Sequence, residues 1–429
     1  MRIIVSTNAR AVAALLDRRA GRDPVVERSV EQIVELIRTG GDAALREFAR
    51  RFDGVDAPLE VPRQQIEAAA SCVAPAVKRA IQVAARHIRR VARKQVPRAW
   101  SVSPAPGVRI AQRVMPLDRV GCYVPGGRYP LPSSLLMTAI PAQVAGVSEI
   151  VVTCPRPDDA VMFAAMEAGV TRLFRIGGAH AIAALAYGTR SVPRVDKIVG
   201  PGNAWVSAAK IRVASTCAID FVAGPSEIAI VSSAGRPAWL AADLIAQAEH
   251  DADARAILIT PKRALATAVA LEVRRQLPAA GPARTALARN GGIVLTRSLD
   301  EAADLAQRLA PEHLVCDSER MAARLTRAGT VFVGRYSAQA LGDYVTGSNH
   351  VLPTMGGAAA RGGLSAADFV RVATIQRVSK AGFREIASAG IALARAEGLA
   401  GHAASMCIRL ETAARARTAT GARNGRGPA

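Results

Sequence analysis

RLFRIGGAHAIAALAYGTRSVPRVDKIVGPGNAW, residues 172–205, reads as strand, glycine turn, helix, strand, glycine turn. The run 172–176 is short and largely apolar, 177–178 are glycines, and 179–187 is Ala-rich with helical period. A second short run, 196–199, ends in Gly200-Pro201-Gly202-Asn203. Parallel strands need a crossover between them, so this alternation predicts an α/β protein with mostly parallel sheets. The same rhythm extends outward in both directions. Further strand candidates are 149–153, 227–231, 256–260, 292–295 and 330–333, with helical patterns at 238–250, 264–276 and 299–309.

The ends of the chain read differently. Residues 26–38, 43–52, 63–70 and 74–96 have helical patterns, and the C-terminal part is helical again over 366–377, 383–397 and 402–416. Uncharged joints at Val124-Pro125-Gly126-Gly127 and Ala223-Gly224-Pro225-Ser226 bracket about a hundred residues with their own strands and helices. The pattern therefore predicts two Rossmann-like α/β domains with mostly parallel sheets, one inserted in the other, plus helical N-terminal and C-terminal segments. The expected boundaries are an arm at 1–20, a main domain at 21–124 and 226–364, and an inserted domain at 125–225. A helical segment at 365–417 and a Gly/Arg/Pro-rich disordered tail at 418–429 follow. No internal repeat is evident.

Bulk properties narrow the class. Half of the 429 residues are hydrophobic but only 4% are aromatic, so the cores rest on Ala, Val, Leu and Ile. The longest uncharged run, 129–148, contains Pro130, Pro132 and Pro141 and does not read as a membrane span. Nor does the N-terminus carry the apolar core of a signal peptide, which predicts a cytoplasmic protein with no membrane partner. The six cysteines form no CxxC pair and suggest neither a disulfide framework nor a thiolate metal site. A formal net charge of +21 invites a nucleic-acid reading. Its spread over solvated helix faces, with too few aromatics for a stacking platform, predicts no nucleic-acid partner.

Only six histidines are present, and five stand beside acids, amides or glycines. His87, in an arginine-rich helix, reads as an ordinary surface residue. Gln247 and His250 are three apart and share a helix face, so they either hold a metal together or simply end a helix whose dipole suits an imidazole. Glu312-His313 puts two proton-transfer groups in one loop after Pro311, or is an exposed pair on a turn. In GDYVTGSNH (342–350), Asp343 is a hard oxygen ligand candidate and His350 a second ligand or a loop anchor. Glu397 and His402 stand near a helix start. There is no HExxH, and no GxGxxG follows a strand. The turns at 177–180 and 200–203 are the remaining phosphate-cradle candidates, and tight turns are their ordinary reading.

Taken together, the chain resembles the histidinol dehydrogenase family. The stretches that carry the resemblance are VGCYVPGGRYPLPSSLLM (120–137), IGGAHAIAALAYGT (176–189), KIVGPGNAWV (197–206), AGPSE (223–227), AQAEH (246–250), APEHL (310–314), GDYVTGSNHVLPT (342–354), GGLSAADF (362–369) and EGLAGH (397–402). The resemblance implies oxidation of L-histidinol to L-histidine through the aldehyde, with two NAD and one zinc ion per chain. It places zinc on Gln247, His250, Asp343 and His402, and proton transfer on Glu312 and His313. Substrate contacts fall on Ser226, Gln247, His250, His313, Asp343, Glu397 and His402. Cofactor contacts fall on Tyr123, His180 and Asn203, which makes 125–225 the cofactor-binding domain. The 365–417 segment is implied to build a homodimer whose sites are shared between subunits. His180 departs from the family's usual glutamine. An imidazole cannot reproduce an amide's paired donor and acceptor, which leaves room for altered cofactor affinity. Together with Phe221-Val222 and Val315-Cys316, this departure also leaves room for a paralogue acting on another small amino alcohol or diol.

Overall fold

The computed structural model describes residues 1–16, 23–126 and 130–421. They divide into two compact units, one made of residues 1–96 and 116–369, the other of 97–115 and the chain from 370 onward.

The first unit contains two parallel sheets. One has six strands in the order Arg2–Val5, Gly292–Leu295, Arg255–Thr260, Glu227–Val231, His313–Cys316, Thr330–Val333. Its central strand, EIAIV, is buried at every position, as expected where helices cover both faces. The other has five strands in the order Arg172–Phe174, Glu149–Thr153, Arg119–Tyr123, Lys197–Val199, Ala218–Ile219. All seven strands expected from the sequence are present within two residues at each end.

Three expectations for this unit need correction. The five-stranded sheet takes its middle strand from Arg119–Tyr123, so it begins six residues before the expected boundary at 125. Gly121 and Cys122 give little strand signal on their own, and it is burial between two partners that makes the segment a strand. Second, the N-terminal helices pack onto this sheet's helices, not into the six-stranded core. Val30, Ile33, Ile37 and Leu45 share a cluster with Ile182, Leu185, Val206 and Val213. Within Pro24–Phe48 the helix breaks at Gly41, where φ is 53°, at the joint between the two expected helices. Third, the N-terminal arm contains a strand, Arg2–Val5, paired in register with Gly292–Leu295.

The second unit holds a three-stranded sheet in the order Val370–Val378, Val108–Pro116, Trp100–Ala105, the last two antiparallel. Helices Lys380–Ala396 and Ala400–Gly421 pack together through Ile391, Ala394 and Ala403. The helix expected over 366–377 is not formed. A single 3-10 turn, Ala366–Phe369, passes into the strand VRVATIQRV. Five of those nine residues are β-branched, and such side chains lose χ1 freedom in a helix but fit a pleated surface. The last helix runs four residues into the segment expected to be a disordered tail, and 422–429 lie outside the described residues.

Candidate active site

The parallel register brings the amino ends of three strands together. His313 stands opposite Ile228 on one side and Thr330 on the other. Glu312, just before its strand, accepts the Glu227 backbone N–H at 2.8 Å through Oε2. His313 lies with Nδ1 3.6 Å from that oxygen and Nε2 3.6 Å from Asp343 Oδ1. Asp343 is carried on the short helix Gln339–Tyr344, and Gln339 Nε2 donates to its Oδ2 at 2.6 Å. Glu312, His313, Asp343 and Gln339 are all buried.

A dry setting decides the acid–base properties. Burial pushes the Glu312 carboxyl up to about 7, against the pull of His313 and of the Glu227 N–H. For His313 burial opposes the charged ring, but Glu312 and Asp343 outweigh it and raise the proton affinity above the ordinary value. For Asp343 burial opposes the anion, yet the hydrogen bond and charge of His313, with His350 and His250 behind, hold the carboxyl below its usual range. The arrangement is thus a line of three groups along which a proton can be taken up, held and returned near neutrality.

Helix Pro237–Ala248 brings Gln247 to the same unit's interior. Gln247 is fully buried, and neither its amide oxygen nor its nitrogen has a hydrogen-bond partner. An unpaired buried amide costs on the order of 2 kcal/mol, so it calls for a ligand. His250 Nδ1 lies 3.2 Å from the Gln247 carbonyl. A carbonyl only accepts, so Nδ1 carries the proton and Nε2 of the neutral ring keeps a lone pair for a metal. Gln247, His250 and Asp343 therefore fit a zinc ion as an N/O donor set. Among the described residues, no group of three His, Cys, Asp or Glu is gathered within the single chain. Ser226, half-buried, precedes the Glu227–Val231 strand, whereas Glu397 and His402 belong to the second unit and are exposed.

His350 takes the second of its two expected roles, the loop anchor: Nδ1 donates to the Asp343 carbonyl at 2.9 Å, and Nε2 lies 3.4 Å from Ser134 Oγ. The sequence missed Ser134 and two further contributors. His87, read as an ordinary surface residue, holds the same loop through the Val345 carbonyl at 2.6 Å. Gln339 sits one helical turn before Asp343, a spacing that could have flagged it. His87 and Ser134 give no such signal, because only the tertiary fold brings them near.

The cofactor candidates gather on the five-stranded sheet. Strands leave Arg119–Tyr123 in one direction to Glu149–Thr153 and in the other to Lys197–Val199, so a crevice opens at the carboxyl ends of the middle pair. Tyr123 and Asn203 stand there. Asn203 caps helix Ala204–Val213, its Oδ1 accepting from Trp205 and Val206 N–H at 3.1 and 3.2 Å. Gly200 has φ +120°, and a Cβ there would collide with the Tyr123 carbonyl. His180 lies on the helix after the edge strand and is 2% exposed.

Parallel sheets, a dry carboxyl–imidazole–carboxylate line and a crevice at a sheet switch point define an α/β enzyme that moves protons beside a bound ligand. The family model described as Histidinol dehydrogenase matches residues 16–410. The chain is 45% identical over 412 residues to the histidinol dehydrogenase of Aromatoleum aromaticum, covering 92% of this chain and 94% of that one. It is 46% identical over 418 residues to that of Methylococcus capsulatus, covering 93% and 96%. The crystal structure of histidinol dehydrogenase from Elizabethkingia anophelis superposes with a TM-score of 0.91 at 32% identity, covering 96% and 98%. The chain belongs to the histidinol dehydrogenase family.

Proposed function

We propose that the chain oxidises L-histidinol to L-histidine through L-histidinaldehyde, using two NAD and one zinc ion, in the last steps of histidine biosynthesis. The observation that carries this reading is the buried Glu312–His313–Asp343 line beside the unpartnered Gln247 amide, in a member of this family. When bound, zinc would hold the substrate in place and NAD would accept hydride. Gln247, His250 and Asp343 would hold the metal, with His402 as the fourth ligand. His313 takes the hydroxyl proton as hydride leaves the alcohol carbon, and Asp343 stabilises the imidazolium. Glu312, with its carboxyl near 7, takes a proton from water for attack on the aldehyde. His313 serves again when the hydrate loses its second hydride. Ser226 and Glu397 complete the substrate contacts, and Tyr123, Asn203 and the residue at 180 serve the cofactor.

His402 is supplied by the partner in a homodimer, so each site is shared. A cytoplasmic setting suits a chain whose six cysteines are all free. Among the described residues, no helix is long and apolar enough to cross a membrane. The test is an NADH absorbance assay with L-histidinol, NAD and zinc. Two NADH formed per histidinol consumed is expected, and no NADH with histidinol would overturn the proposal.

A further inference from the structure

The glycine turn at 200–203 is held from behind by two buried charges. Gly200 follows the strand Lys197–Val199, and Asp220 follows its edge neighbour Ala218–Ile219. The Gly200 N–H donates to Asp220 Oδ2 at 2.8 Å. Lys210 pairs with Asp220 Oδ1 and donates to the Gly200 carbonyl at 3.1 Å. One ion pair therefore holds both polar groups of one glycine in a closed ring. Asp220 is itself anchored. Its N–H donates to the Ile198 carbonyl at 3.1 Å, its Oδ1 accepts the Phe221 N–H at 2.6 Å, and Arg361 donates to its backbone carbonyl.

A cation is out of place here on packing grounds. Lys210 stands in the second turn of helix Ala204–Val213, on the face that buries Val206, Ala209 and Val213. Lysine is almost never fully buried unless it is paired. Side chains on a helix lean toward its amino end, so the ammonium reaches back to the turn from which the helix starts. Buried ion pairs add little stability, because desolvation offsets the attraction, and apolar side chains of similar volume often serve as well. What apolar side chains cannot do is fix an amide and a carbonyl at once. Gly200 needs that hold: its φ is +120°, a region open to glycine, whose backbone has the most freedom to lose. A Cβ there would meet the Tyr123 carbonyl, and three residues further on Asn203 caps the helix.

We propose that Lys210 and Asp220 are positioning residues for the cofactor: by fixing both backbone groups of Gly200, they hold Asn203 and Tyr123 in the relative placement that receives NAD. The two side chains are closed off from solvent, at 2% and 0% exposure, so they act through the turn. The inference rests on the proposed reading of Tyr123 and Asn203 as cofactor contacts and of NAD as the cofactor.

The experiment measures NADH binding by fluorescence without substrate, beside thermal unfolding. The variants are Lys210→Met, Asp220→Leu, a first double variant Lys210→Met/Asp220→Leu and a second, Lys210→Met/Asp220→Asn. Either single change leaves a buried charge without its partner, so each should lower the melting midpoint by about 5 °C or more and raise the NADH Kd. The first double variant is neutral and should melt above both single variants. Its Kd should nevertheless stay about tenfold above the wild type, because nothing then holds Gly200. The second is equally neutral, but its side-chain amide oxygen still accepts the Gly200 N–H, and its Kd should return to within about threefold of the wild type. KM for NAD should follow Kd, while kcat at saturating NAD stays within about threefold. Lys210→Met/Asp220→Ala takes the place of the first double variant if that chain does not fold. A neutral variant that lacks the acceptor yet binds NADH as the wild type does would mean that the pair serves stability alone, and overturns the proposal. Equal affinities in the two double variants overturn it as well, as does a loss confined to kcat. A wild-type chain that binds no NADH overturns the cofactor reading and the proposal together.

Discussion

Glu312 and His313 are adjacent in sequence, yet their environments differ, which underlies the different tasks proposed for them. His313 has two carboxylates within 3.6 Å, while the one hydrogen bond found at Glu312 comes from a backbone amide. Glu312→Gln should therefore slow oxidation of the aldehyde by about 10²–10³-fold while leaving the alcohol step within tenfold. Rates measured separately with histidinol and histidinaldehyde check this, and equal losses on both would contradict the division of roles. A second residue allows a stability test. Burial raises the Asp243 carboxyl from 3.8 to about 6. Its folded-state value exceeds the unfolded one, so the stability its proton confers is complete below about pH 4 and lost as pH rises through 6. Asp243→Asn should melt with the wild type at pH 4 and be more stable at pH 8, by on the order of 2 kcal/mol. Thermal unfolding against pH measures the gap, which should open between those limits. At this scale the sequence was readable where chemistry is local, as in Glu312-His313 or Gln247-Ala248-Glu249-His250. Asp53 was not readable, because its partners Gly177 and His180 lie more than 120 residues away.

Elements with a continuous β-branched run between helices were visible in the sequence, since a strand buried on both faces must be apolar throughout. Glu227–Val231 and Gly292–Leu295 are of this kind, and their observed ends match the expected ones. The strand Val370–Val378 was misread because its alternating arginines and valines can be fitted to either period, and its partner at Val108–Pro116 decides the matter. Turns between elements carry their own test. Gly200 ends one strand with φ +120° and no room for a Cβ beside Tyr123. Gly200→Ala should lower the thermal midpoint, at a cost on the order of 2–4 kcal/mol, and weaken NADH binding. An alanine variant with unchanged melting and binding would mean that the turn relaxes freely. Gly202→Ala, where a Cβ would meet the Val206 side chain, gives a comparison at ordinary φ.

Over the whole molecule, seven residue steps join the two candidate sites. Asp220 receives the Gly200 amide beside the five-stranded sheet, and Glu227 donates its own amide to Glu312. The span between them is therefore at most about 25 Å. The sequence expects this joint at 223–226, because Gly-Pro pairs interrupt both helix and strand, and the segment lies between the last strand of the five-stranded sheet and Glu227–Val231. It placed the first boundary too late, since nothing local separates Arg119–Tyr123 from what precedes it. The proposed shared site gives the test at this scale. An inactive His402→Ala chain mixed with an inactive Gln247→Ala chain should regain up to about a quarter of wild-type activity after subunit exchange, because half of the dimers are mixed and each carries one intact site. Absence of recovery, with exchange confirmed by mass, would place His402 within its own chain's site. The pairing of Arg2–Val5 with Gly292–Leu295 also imposes a schedule on the nascent protein. The partners are 290 residues apart, so on a ribosome the first strand waits about 15–60 s for the strand it will lie beside. The five-stranded sheet has all its strands by Ile219 and meets no such delay. The five-stranded sheet is then in place before the six-stranded sheet can close, and Arg2–Val5 is among the last segments to find its place.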